Sequence, residues 1–145
     1  MTTTLPPAVA EAIRASFVRQ TLMQNFGAQL TGLAPGHCEI TAPILPTALQ
    51  QHGHGHAGLT FALGDSAAGY AALGILPEGS EVMTVEMKIN LLAPARGKAL
   101  IATGKVIRAG RRLTVVQASV AALREDGSTV EIALLQGTMI PVPPA

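Results

Sequence analysis

A chain of 145 residues has room for one domain with a real core and is too short for two ordinary ones. Hydrophobic residues make up 48% and charged residues only 13%, so some apolar surface is expected to be covered by further copies of the chain. A net charge of +1 and an aromatic content of 3% supply neither the phosphate neutralisation nor the base stacking that a nucleic-acid partner needs.

The first element is a helix over about residues 7–20, opened by "PP" and carrying Val9, Ile13, Phe17 and Val18 at helical spacing. "AQLTGLAPGHCEITAPI" reads as two short strands around a turn at Ala34-Pro35-Gly36. Pro43 and Pro46 begin a loop that runs to Gly55, and a long helix from about 56 to 74 follows. In "EVMTVEMKINLLAPA" the residues Met83, Val85, Met87, Ile89 and Leu91 alternate with Thr84, Glu86, Lys88 and Asn90, the pattern of a half-buried strand. Three further strands are predicted in "KALIATGKVIRAG", "RRLTVVQASVAALRED" and "TVEIALLQGTMIPV", with short turns that favour antiparallel pairing of neighbours. Only "PVPPA" reads as a free tail. One helix filling the concave face of one twisted antiparallel sheet is an α+β arrangement, and the whole of 1–145 is expected to form it as a single domain.

Residues 57–76 are long and apolar enough to be tested as a membrane span. Asp65 in the middle would cost roughly 2.5 kcal/mol or more in lipid, and the expectation is a helix buried in protein. The single Cys38 and an N-terminus without a basic-then-apolar leader predict a cytoplasmic location. "HGHGH", His52, His54 and His56, has no Cys, Asp or Glu beside it to complete a metal site, so no metal is expected; His56 is a candidate acid, base or helix cap.

Gly64, Gly69 and the alanines of the central helix predict close approach of another backbone or a ligand. At its start, Ala57 and Gly58 carry amides with no partner inside the helix, which suit a developing oxyanion. Asp65, nine residues after His56, lies on the opposite side of the helix and about 13.5 Å along it. If both groups serve one small substrate, the site must be shared between subunits across a two-fold axis.

"QQHGHGHAGLTFALGDSAAGYAA", "TVEMKINLLAPARG" and "RAGRRLTVVQASV" together resemble the PaaI-like group of hotdog-fold acyl-CoA thioesterases, near the 4-hydroxybenzoyl-CoA thioesterase branch, over roughly residues 25–140. The resemblance implies the hotdog fold, an acyl-CoA substrate, and homodimers paired into tetramers with active sites at the dimer interface. It puts the catalytic carboxylate, nucleophile or general base, on Asp65. The helix-start amide that polarises the thioester carbonyl falls on Ala57, where the usual "HGG" is here His56-Ala57-Gly58. Gln50, with Gln51 as the second candidate, takes the place of the upstream Asn or Gln, and Thr84 that of a Ser or Thr on the next strand. Six of the ten basic residues fall between Arg96 and Arg112, which suits coenzyme A phosphates; Arg111 is the first candidate, with Arg112 and Arg96 beside it. Coenzyme A is part of the substrate, so no separate cofactor is expected. The rival readings are a non-catalytic acyl-CoA-binding hotdog and a hotdog dehydratase or hydratase, the latter lacking its "HFPGxPxMPG" pattern here.

Overall fold

A computed structural model describes residues 4–143. The N-terminal helix α1 spans Pro7–Arg19 and buries Val9, Ile13 and Phe17, one face at i, i+4 and i+8; Val18, which the apolar pattern included, is 62% exposed. Gln20 adopts an extended conformation that ends α1 and caps the one-turn helix α2, Thr21–Asn25. Strands β1 (Gln29–Ala34) and β2 (His37–Pro43) form the predicted hairpin. A 3-10 turn at Pro46–Ala48 leads into the long helix α3, Ala57–Leu73, followed by β3 (Glu81–Leu91), β4 (Ala99–Ala109), β5 (Thr114–Leu123) and β6 (Thr129–Val142).

The six strands form one antiparallel sheet in the order β1-β2-β4-β5-β6-β3. Short turns suggested that each strand would pair with the next in sequence, and for β3 and β4 that expectation fails. Residues 92–98 instead cross the end of the sheet, hydrogen-bonding Ile132 on the way and Leu123 on arrival. Three inter-strand spacings are about 14 Å, well within the reach of seven residues. Helix α3 therefore leads into β3 at the far edge, and β4 returns to the middle beside β2. The tail expectation also changes: Pro141 and Val142 belong to β6 and pair with Val82 and Glu81, while residues 144 and 145 lie outside the described part.

Helix α3 is apolar on nearly every side because the sheet curls around it; Leu59, Leu63, Ala67, Ala68, Ala71 and Ala72 are all buried. Small residues set how tightly it is held. A Cβ on Gly104 of β4 would lie 2.3 Å from the Ala67 carbonyl carbon, so sheet backbone touches helix backbone there. A Cβ on Gly64 would lie 2.8 Å from the Leu135 side chain. The packing role expected of Gly64 is thus met, whereas Gly69 has open space beside it, Met139 being 3.9 Å away.

One irregularity matters for the chemistry. Between Thr84 and Glu86 the β3–β6 register shifts, so Val85 is an extra residue and the alternation reverses across it. Before this bulge Val82 and Thr84 face α3; after it Met87 and Ile89 do. The single stripe expected from Met83 to Leu91 is therefore split, leaving Met83 and Val85 more than half exposed.

Candidate active site

The loop before α3 is held from both sides. Gly55 bridges Leu49 and Ala95, its N–H donates to the Ala95 carbonyl at 3.0 Å, and the His56 N–H donates to the Ala48 carbonyl at 2.9 Å. Inside the loop the Gln50 side-chain oxygen accepts from the backbone N–H groups of His52 and His54. Its NH2 group finds no acceptor among the described residues. Gln50 and Ala57 share the wall of a cavity of about 360 Å³ with His54, Thr60, Leu91 and Ile132.

His56 is the N-cap of α3: its Nδ1 accepts from the Gly58 N–H at 2.7 Å. A Cβ on residue 58 would lie 3.0 Å from that nitrogen, so the glycine leaves room for the imidazole cap. The Gly58 amide, expected to stand ready near an oxyanion, is occupied. The Ala57 N–H has no acceptor among the described residues and is the free donor at this helix start.

Asp65 lies eight residues further, about 12 Å along the axis. Its Oδ1 accepts from Thr84 Oγ1 at 2.8 Å, a contact made possible by the reversal at Val85, and Thr84 Oγ1 also lies 3.2 Å from Met139 Sδ. The carboxyl is half-buried, and burial lifts its pKa above the ordinary value while the Thr84 hydrogen bond pulls it partly back. A desolvated carboxylate of this kind is a stronger base and nucleophile than one in water. It opens into a separate cavity of about 250 Å³ lined also by Ser16, Gln20, Ser66, Tyr70 and Met139.

Within one chain, then, Asp65 and Thr84 are brought together, Gln50 and Ala57 are brought together, and the two pairs line cavities with no residue in common. The basic residues also divide. Arg96 Nη2 is 3.2 Å from the ring of His54, a residue that lines the helix-start cavity. Arg111 and Arg112 are exposed in the β4–β5 hairpin, at the other end of β4. Ten steps of strand put the two ends about 33 Å apart, so the run from 96 to 112 makes two patches within a chain, not one. His52, His54 and His56 do not converge, and the described residues include no group of three His, Cys, Asp or Glu side chains arranged to hold a metal ion. The sequence reading missed the Arg96–His54 contact and the polar group formed by Ser16, Gln20 and Tyr70 beside Asp65. The available signal was the chain's only tyrosine, one and a half turns beyond the carboxylate.

A six-stranded antiparallel sheet in this order, wrapped around one long helix, is a hotdog. Residues 52–129 match the Thioesterase superfamily. A thioesterase family protein from Silicibacter pomeroyi is 39% identical and superposes with a TM-score of 0.90 over 93% of this chain and 98% of its own. A Haemophilus influenzae thioesterase (22% identity, TM-score 0.79, 99% and 93% covered) shares the fold. So does the PaaI protein of the E. coli phenylacetic acid degradation operon (20% identity, TM-score 0.83, 98% and 99% covered). No protein of curated function matches significantly. The chain belongs to the thioesterase superfamily, a family of thioester hydrolases, and the expected PaaI-like hotdog architecture is borne out. Among the described residues no helix is long and apolar enough to cross a membrane.

Proposed function

We propose that this protein hydrolyses acyl-CoA thioesters, with Asp65 of one copy facing the start of α3 in another. The observation that carries the reading is the half-buried Asp65 carboxylate, held by Thr84 in a cavity, in a chain of the thioesterase superfamily. In the general-base course Asp65 takes a proton from water as the water oxygen bonds to the thioester carbon. In the nucleophilic course Asp65 bonds to that carbon itself, the coenzyme A thiolate leaves, and water then cleaves the mixed anhydride. Either way the carbonyl oxygen gains charge, which the free Ala57 N–H stabilises, and the C–S bond breaks. Gln50, its oxygen tied into the loop, offers its NH2 to the carbonyl or the water.

The pairing rests on the edge of the sheet. Among the described strands β3 pairs only with β6, leaving an eleven-residue edge flanked by exposed Met83, Val85, Leu91 and Leu92. A second copy added antiparallel along this edge, about a two-fold axis perpendicular to the sheet, lays the Thr84 end of one strand beside the Leu91 end of the other. That closes the gap between the two cavities, as a homodimer or within a homotetramer. Arg111 first, with Arg112 of the same copy and Arg96 of the other, binds the phosphates of coenzyme A, and no other cofactor is called for. The buried, unpaired Cys38 suits a reducing cytoplasm.

A thiol-release assay over an acyl-CoA panel tests the reading. Wild type is expected to hydrolyse at least one member, and Asp65→Asn to lose at least two orders of magnitude in kcat. Tight acyl-CoA binding without turnover would instead mark a binding protein. Oxygen-18 appearing in Asp65 after one turnover separates the nucleophilic course from the general-base course.

A further inference from the structure

Of the three histidines in "HGHGH", His56 caps α3, while the ring of His54 meets Arg96. The backbone sets that meeting. Gly55 and Ala95 form an antiparallel bridge so close that a Cβ on Gly55 would lie 2.9 Å from the Ala95 Cβ. One step out from the bridge, His54 and Arg96 stand opposite each other with their side chains on one face. His54 is also fixed from the other side, because its carbonyl accepts from the Gln50 N–H at 2.8 Å and its N–H donates to Gln50 Oε1 at 3.2 Å. Arg96 Nε lies 3.3 Å from the ring Nδ1 and 3.4 Å from Nε2, with Nη2 3.2 Å from Nε2. A neutral imidazole has one lone-pair nitrogen, so it accepts one of these N–H groups and the rest of the guanidinium lies against the ring.

We infer that His54 is a positioning residue for coenzyme A: it holds the Arg96 guanidinium beside the helix-start cavity before substrate arrives, ready for a phosphate of the coenzyme that leaves this cavity. This rests on the acyl-CoA thioesterase reading. Place supports it, since His54 shares the cavity wall with Gln50 and Ala57, and Arg96 borders an adjoining cavity that has Ala93 and Pro94 in common with the first. A molecule reaching from one cavity into the other passes this pair. Charge supports it as well. A carboxylate partner would neutralise Arg96, whereas an uncharged imidazole leaves the full charge and the remaining N–H groups to a phosphate. Arg124 and Glu125 line the adjoining cavity too, yet the side-chain hydrogen bonds of Arg96 among the described residues all go to His54. Order is the third support: Arg96 is exposed, and an exposed arginine left free loses its rotamer freedom when it meets a ligand. Seating it on a half-buried ring moves that loss to the folding step. Gln50 and Arg96, proposed for opposite ends of the substrate, are thereby tied to one residue.

The test compares the acyl-CoA that the panel shows to be hydrolysed fastest with the pantetheine thioester of the same acid, which lacks the nucleotide and its phosphates. His54→Ala is expected to raise KM for the acyl-CoA about three- to tenfold, the range for immobilising one rotamer-rich side chain on binding. The kcat should stay within about twofold, and the pantetheine thioester should show no matching rise in KM. His54→Gln, whose side-chain oxygen accepts from a guanidinium, should restore most of the loss. Both variants keep the backbone bonds to Gln50. In an Arg96→Gln background His54→Ala should add nothing. An unchanged KM in His54→Ala, an equal rise for both thioesters, a fall in kcat at constant KM, no rescue by glutamine, or a full further loss without Arg96 overturns this inference and leaves the thioesterase reading standing. Wild type that hydrolyses no acyl-CoA overturns both.

Discussion

At Asp65, function and stability pull in opposite directions. Burial raises its folded-state pKa above the ordinary carboxylate value of 3.8, so the folded chain keeps a proton that the unfolded chain has released. Ionised Asp65 therefore destabilises the fold once the pH is above its folded pKa, and the effect disappears below the unfolded value. Asp65→Asn, which still accepts from Thr84, is expected to keep or raise Tm at neutral pH while abolishing turnover, with the Tm difference vanishing near pH 3; differential scanning calorimetry across that range checks it. Thr84 acts the other way, since its hydrogen bond holds the carboxylate down. Thr84→Val should move the acid limb of the kcat profile to higher pH, because Asp65 then needs a higher pH to ionise. An acid limb that stays put or moves lower would separate Thr84 from the ionisation of Asp65.

Between elements, the fit of α3 into the sheet is set by glycines with opposite prospects. Gly104→Ala drives a methyl into the backbone of α3 and is expected to cost about 3 kcal/mol, the upper end for overpacking. Gly69→Ala meets nothing closer than 3.9 Å and should gain about 0.5 to 1 kcal/mol from helix propensity, yet its methyl enters the Asp65 cavity and should lower activity. Urea midpoints alongside kcat/KM for both variants check the pair. The same comparison shows what was readable from residues alone. Helix α3 was legible because an apolar run with one carboxylate and well-placed glycines has few other ways to be buried, and the hairpins because their turn residues are local signals. The place of β3 was not, because a short connection does not reveal whether it turns back or crosses the sheet end. Nor was the reversal at Val85 legible, since an alternating apolar run reads the same with or without an extra residue. The sole sequence-level trace is Gly137, opposite Met87 just past it, where a Cβ would lie 2.4 Å from the Glu86 carbonyl oxygen. Asp65 and Ala57 were legible through helical spacing; the polar wall from α1 was not, because nothing local ties Ser16 and Gln20 to Tyr70.

For the whole molecule, the decisive question is whether a site divided between two cavities is completed by a second copy. Ala57 allows a clean test because proline is well tolerated at the first position of a helix and removes the N–H proposed to hold the oxyanion. The residue before it is already suited to the change: His56 sits at φ −64°, ψ 143°, the extended region that a following proline demands. Ala57→Pro should therefore fold normally and lose about two to three orders of magnitude in rate. Asp65→Asn should be inactive for the separate reason that it lacks the carboxylate. When the two inactive proteins are mixed and allowed to exchange subunits, a shared site has a definite consequence. Each mixed dimer contains one site with both defects and one with neither. Random exchange makes half of the dimers mixed, so the mixture should recover about a quarter of wild-type activity. A site confined to single chains recovers nothing on mixing, because every chain then carries one lesion, and that result would remove the two-fold arrangement while leaving the chemistry of Asp65 to be explained within one copy.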